Sequence, residues 1–172
     1  MEQLQSQLDV IVEIAGAIGR ALGAGHKVLI FGNGGSAADA QHMAAEFVGR
    51  YEEDRVGLPA IALTGNGSTV TAIGNDLGYA EIFARQIEAL GRPGDVAVGI
   101  TTSGKSENVL RALKAAKSAG LVTIALTGRT GLAIGDVDVQ LRVPSTRTAR
   151  IQEAHITAIH CICELIEQEC GR

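Results

Sequence analysis

The chain has no tryptophan, and aromatic residues make up only 3% of its 172 positions. With 46% hydrophobic residues and 22 glycines, its core has to be assembled from Ala, Val, Ile and Leu, as in α/β proteins whose helices pack closely on a sheet. No basic run stands out and the net charge is −4, which argues against nucleic acid or an anionic membrane as the main partner. No apolar run approaches the roughly 20 residues of a spanning helix. The opening MEQLQSQLDVIVEIAG is acidic and amphipathic, unlike a secretory leader, so a soluble, cytoplasmic protein is expected. Cysteine is confined to Cys161, Cys163 and Cys170, a spacing that suits neither a zinc knuckle nor a disulfide framework. Reduced, partly buried thiols are expected instead. The length suits one domain, 1–172, with a full core.

What is present is an alternation of short apolar runs and amphipathic segments. Leu4–Leu22 carries Leu8, Ile11, Val12, Ile14, Ala15, Ile18 and Leu22 on one broad face, a helix that covers the sheet or packs on another subunit. Strands are expected at Lys27–Phe31, Pro59–Leu63, Asp95–Ile100 and Val122–Leu126, with an alternating edge strand at Val137–Val143. Helical spacing marks the stretch after the first strand, then Ile82–Leu90, Asn108–Ala119 and a last helix from about Thr148 to Glu169. RYEEDR, Arg50–Arg55, is expected to be a charged, exposed connection, and TGNGSTVTAIGNDLGY a loop with a short helical turn. This order predicts an α/β fold: an open, mostly parallel five-stranded sheet with helices on both faces, a three-layer sandwich of the flavodoxin-like or Rossmann-like kind. Ligands of such sheets sit beyond the C-terminal strand ends.

The chemistry-bearing residues gather after two strands. GITTSGKSEN, Gly99–Asn108, sets Thr101, Thr102, Ser103 and Ser106 around Gly104 before a helix. Helix N-termini leave N–H groups unpaired and hydroxyls add donors, so the stretch reads as a phosphate cradle. It also matches GxxxxGK[ST], but Gly99 lies inside the strand run and no second strand ends in a magnesium-binding aspartate. The first turn, Asn33, Gly34, Gly35 and Ser36, partly matches a dinucleotide fingerprint through Gly32, Gly34 and Ala37. The acidic residue that should end the next strand is missing, leaving a glycine-rich turn that a ligand approaches closely. His42 and Glu46, four apart, project from one helix face, as a surface pair, a metal chelate or a general base. In the last helix Gln152 and His160 lie two turns apart on neighbouring parts of one face. By itself His160 reads more readily as a satisfied histidine of the core or an interface than as a catalyst. Asn75 and Asp76 form a polar pair in the loop after the second strand.

Together GNGGSAADAQHMAAEF, AIGNDLGYAEIF, GITTSGKSENV and ARIQEAHITAIH resemble the sugar isomerase (SIS) domain and, within it, the phosphoheptose (sedoheptulose 7-phosphate) isomerase family. The resemblance runs from the first helix to the last. It implies an aldose–ketose isomerase that converts D-sedoheptulose 7-phosphate to D-glycero-D-manno-heptose 7-phosphate through an enediol, the start of bacterial heptose synthesis for lipopolysaccharide or other surface glycans. It implies Glu46 and His160 as the acid/base pair and His42, Glu46, Gln152 and His160 as a set that holds one zinc ion per subunit. Asn33, Gly34, Gly35, Ser36, Glu46, Asn75, Asp76, Thr101, Thr102, Ser103, Ser106 and Gln152 are the implied substrate contacts. A homotetramer is implied, with the first helix (1–24) and the last (148–170) at subunit boundaries. The family has non-catalytic relatives, one that binds the replication initiator and others that sense sugar phosphates. The former lacks the carboxylate and histidine at these positions and the latter are expected to lack them, whereas this chain has both.

Overall fold

Runs such as VLIFG and VAVGI are apolar at every position, which only a strand covered on both faces can bury. The computed structural model describes residues 7–133 and 137–170, and there β1 (Val28–Gly32) and β3 (Val96–Thr101) are buried throughout. β2 (Ala60–Ala62), β4 (Val122–Thr127) and β5 (Val139–Arg142) complete one sheet in the order β2-β1-β3-β4-β5. Every pairing in it is parallel, Val28 lying opposite both Ala60 and Val96. That order reverses direction between β1 and β3, and their C-terminal ends open the crevice where such sheets bind ligands.

Helices cover both faces. α1 (Leu8–Gly23), α2 (Gly35–Val48) and α6 (Thr148–Cys170) pack on one, through Ile14, Ile18, Met43, Phe47, Ile159 and Ile162 against Val28, Ile30, Val98 and Ile124. α4 (Ala84–Leu90) and α5 (Glu107–Ser118) cover the other, where Ile87, Val109 and Leu113 meet Leu29, Phe31, Ala97 and Ala125. Leu29 and Ile30 thus serve opposite layers, as the period of two requires. Among the described residues no helix is long and apolar enough to cross a membrane.

The structure departs from the sequence expectations in four places. The segment after β2 is a full helix, α3 (Gly67–Asp76), not a short turn. The Asn66 side chain caps it by accepting the Thr69 N–H, which offsets the weak helix propensity of Gly67 and Gly74. None of its residues is buried. On α1 the inner stripe is Ile11, Ile14, Ala15, Ala17, Ile18 and Ala21, whereas Leu8 and Val12 stand 53% and 58% exposed. The apolar face is wider than one packing layer, so a second stripe four residues apart is left outside. The predicted helix start, Leu4–Ser6, lies outside the described residues. Strand β2 is shorter than Pro59–Leu63 and half exposed, as an edge permits. Finally, RYEEDR is not wholly exposed: the Arg55 side chain is almost completely buried against Glu167.

Candidate active site

The turn after β3 keeps its hydroxyls together. Thr101 Oγ1 lies 3.1 Å from Ser106 Oγ and 3.5 Å from Ser103 Oγ, and the Lys105 N–H donates to Ser103 Oγ at 3.2 Å. Ser106 is the N-cap of α5 but its side chain makes no capping bond, so the hydroxyl is not spent on the helix. Gly104 closes the turn at φ +68°, where a Cβ would fall 1.7 Å from the Gly131 carbonyl oxygen; only glycine fits. Gly99 belongs to β3, with the space where its Cβ would stand taken by Leu113 and Val109, which removes the P-loop reading.

The turn after β1 is tied to this one. Asn33 and Asn108 exchange amide hydrogen bonds, Asn33 Nδ2 donating to Asn108 Oδ1 at 2.9 Å and Asn108 Nδ2 to Asn33 Oδ1 at 2.8 Å. The Tyr79 hydroxyl donates to the same Asn33 oxygen at 2.9 Å. The Asn33 side chain is therefore engaged as a brace between the turns, and Asn108 and Tyr79 are partners that no local pattern in the sequence announces. A recess of about 440 Å³ lies here, lined by Asn33, Tyr79, Ala80, Ser106, Glu107 and Asn108. Beside it Gly34, at φ +57°, and Gly35 are exposed, and Ser36 is buried. Asn75 and Asp76 bond to each other at 2.8 Å on the exposed end of α3. A larger recess of about 540 Å³ lies along the β2 edge by Ile61, Ile73 and Leu90, but it gathers none of these turn or acid/base residues.

The residues expected as the acid/base pair, Glu46 and His160, both approach His42 where α2 and α6 run side by side. His42 Nε2 is 2.9 Å from His160 Nε2 and 3.4 Å from Glu46 Oε1. Tyr51 packs on the His160 ring with centroids 5.7 Å apart. The His42 and Glu46 side chains remain 42% and 20% exposed, so the cluster is open on one side. Gln152 is directed elsewhere in this arrangement: its carboxamide occupies the space beside Gly35, where a Cβ would fall 2.2 Å from Nε2. Gln152 over Gly35 and His160 beside His42 show that the two helices run parallel, bringing the first turn and the acid/base cluster onto one seam.

One further group escaped the sequence reading. Asp39, three residues before His42, has a buried Oδ2 without a hydrogen-bond partner. Burial pushes its carboxyl above the usual range, against the pull of His42. His155 is fully buried, with Nε2 3.2 Å from the Thr127 carbonyl oxygen, and burial lowers it to about 4, a neutral core histidine.

Two imidazoles and a carboxylate are donor types that zinc takes. Among the described residues no three His, Cys, Asp or Glu side chains stand ready-made as a metal site, and the two imidazole nitrogens lie at hydrogen-bond distance from each other. The donor chemistry of His42, Glu46 and His160 suits such an ion, whereas Gln152 is turned toward Gly35.

Comparison with known proteins gives a consistent answer. The family model of the SIS domain matches residues 1–128. A phosphoheptose isomerase of Aquifex aeolicus is 59% identical over 159 residues, 92% of this chain and 83% of that protein. The solved phosphoheptose isomerase of Neisseria gonorrhoeae superposes with a TM-score of 0.90 at 48% identity, covering 97% of this chain and 90% of that one. That of Francisella tularensis gives 0.89 at 42% identity, covering 97% and 93%.

Proposed function

This chain belongs to the phosphoheptose isomerase family of SIS-domain proteins, and from that premise we propose that it interconverts sedoheptulose 7-phosphate and D-glycero-D-manno-heptose 7-phosphate, with Glu46 and His160 moving the protons. The observation that carries the proposal is the convergence of Glu46, His42 and His160 along the seam that leads from the glycine turn.

The chemistry needs one proton taken from carbon and one moved between oxygens. The Glu46 carboxylate removes a proton from C1 of the ketose as the electrons pass toward the C2 oxygen. Protonation of that oxygen gives the enediol. His160 then moves protons between the C1 and C2 oxygens, and return of a proton to C2 leaves the aldehyde at C1. Nothing is consumed, so no co-reactant is required. A positioned acid or base of this kind contributes about 10²–10⁴-fold. The hydroxyls of Thr101, Thr102, Ser103 and Ser106 bind the phosphate at the far end of the sugar, which orients C1 and C2 without taking part in the proton transfers. Asn33 acts here mainly through its link to Asn108, which fixes the distance between the two turns.

His42, Glu46, Gln152 and His160 would hold one zinc ion. When bound, zinc supplies positive charge beside the developing enediolate oxygen. The assembly is a homotetramer in this reading. Its support is the exposed stripe of Leu8 and Val12, the helix α3 with no fully buried residue and the open side of the acid/base cluster, surfaces that a second copy covers. The site of action is the cytoplasm, where the heptose starts its route to lipopolysaccharide or another surface glycan.

The test is turnover of sedoheptulose 7-phosphate by purified protein before and after chelation. Aldose formation, lost with the chelator and restored by zinc, is the expected outcome. A folded, zinc-replete protein that leaves the ketose untouched sinks the reading and favours a sensing role.

A further inference from the structure

A charge knot lies beside the acid/base cluster and has no part in the reaction as derived. Glu167, on α6, is 4% exposed. Its Oε1 accepts the Tyr51 N–H at 2.8 Å and Arg55 Nε–H at 3.0 Å, and its Oε2 accepts the N–H groups of Glu52 and Glu53, both at 2.9 Å. Burial opposes the charge, but the donors from Glu53, Glu52 and Tyr51, together with the Arg55 charge, outweigh it and hold the carboxyl below the usual range. Arg55, its side chain 7% exposed, spends its remaining donors on carbonyls. Nη2 donates to the Glu46 oxygen at 2.7 Å, and Nη1 to those of Phe47 at 2.9 Å and Val56 at 3.1 Å.

The knot therefore grips the backbone of Glu46 itself on α2 and, through Glu167, the helix that carries His160 two turns earlier. The loop it pins also sets the Tyr51 ring against His160. Stability alone is a poor reason for such a pair, since well-packed apolar side chains of similar volume often do as well. What an apolar pair cannot supply is direction: a planar fork with fixed donor angles fixes the groups it holds. Misplacement of a reacting group by about 1 Å costs on the order of 10²-fold in rate.

We propose that Arg55 and Glu167 are positioning residues that set Glu46 against His160, with Tyr51 as the contact through which the knot reaches the imidazole. This rests on Glu46 and His160 being the reacting pair.

The test compares Arg55→Lys, Glu167→Gln and Tyr51→Leu with wild type and Glu46→Gln, all at saturating zinc, with folded fraction followed by circular dichroism. Arg55→Lys keeps the charge and loses the fork. Expected is a kcat about 10–100-fold below wild type for Arg55→Lys and Glu167→Gln. KM for sedoheptulose 7-phosphate and the inhibition constant of inorganic phosphate stay within about twofold, because the cradle is on another turn. Tyr51→Leu keeps the backbone N–H bonded to Glu167 and loses only the ring, so it lowers kcat about tenfold with the fold intact; it decides the matter if the other two fail to fold. Folded variants with wild-type kcat overturn the proposal, as does a loss of activity that only tracks unfolded protein. A wild type without turnover overturns the isomerase reading and this inference together, whereas active wild type, inactive Glu46→Gln and unaffected knot variants overturn the knot alone.

Discussion

The two ends of the parallel sheet carry similar residues and use them in opposite ways. At the N-terminal edge the carboxylates are fully engaged. Asp95 accepts the N–H groups of Lys27 and Arg92 and the Lys27 ammonium, and Asp138 accepts the N–H and hydroxyl of Thr123 and the Lys117 ammonium. At the C-terminal edge and along the seam beside it, polar groups keep capacity in hand. Asp39 Oδ2 is buried without a partner, the Ser106 hydroxyl is not spent on its helix, and His42 and Glu46 remain partly open. The N-terminal edge holds the strands; the C-terminal edge is left unsatisfied for something else to complete.

The largest expected effect lies at the closed edge. Asp95→Ala leaves Lys27 and two backbone donors without their acceptor and should cost about 3–5 kcal/mol, a large drop in thermal midpoint with kcat of the remaining folded protein unchanged. Urea denaturation beside steady-state kinetics checks it. At both aspartates burial raises the carboxyl but the paired lysine and backbone donors lower it more. Their folded pKa values lie below the unfolded ones, so this stabilisation is complete above the unfolded carboxylate range, about 3.9, and is lost as pH falls through the folded values. Asp95→Asn should accordingly flatten the acid limb of the stability profile.

An intermediate effect is expected at the cradle. Thr101→Val and Ser106→Ala each remove a donor to a charged group, worth about 1.5–3 kcal/mol, and should raise KM for the phosphorylated sugar roughly 10–100-fold while kcat falls far less. The smallest effect is a gain. Asp39 is raised by burial despite His42, so its folded pKa exceeds the unfolded one and ionisation costs stability at neutral pH, a cost removed as pH falls through the folded value. Since the residue is partly exposed, solvent screens most of this. Asp39→Asn should therefore raise stability at pH 7 by less than about 1 kcal/mol, and an equal or larger loss would erase the contrast between the edges.

Much of this was legible in the amino-acid order. β1 and β3 are continuous apolar runs, and both glycine- and hydroxyl-rich turns follow them directly, so the sheet and its ligand edge could be read from local pattern. The i, i+4 pairing of His42 and Glu46 was readable for the same reason. What could not be read joins distant parts of the chain. Asn33 and Asn108, or Arg55 and Glu167, leave no periodic trace, and a charged stretch such as RYEEDR looks like solvent-facing loop until its partner is found. The length of α3 was hidden by Gly67 and Gly74, since the Asn66 cap that sustains it is a single residue. The meeting of His42 with His160 depends on how α2 and α6 lie together on one face of the sheet, which neither helix reveals alone.

The central claim is that Glu46 is the group that moves protons on carbon. The most direct test is the steady-state turnover of sedoheptulose 7-phosphate by Glu46→Gln beside wild type, with fold and phosphate binding verified in the same preparation. The account predicts a loss of at least about 10³-fold in kcat, within the span of general acid/base contributions, with inorganic phosphate bound as in wild type. A folded variant that turns over within tenfold of wild type would contradict it.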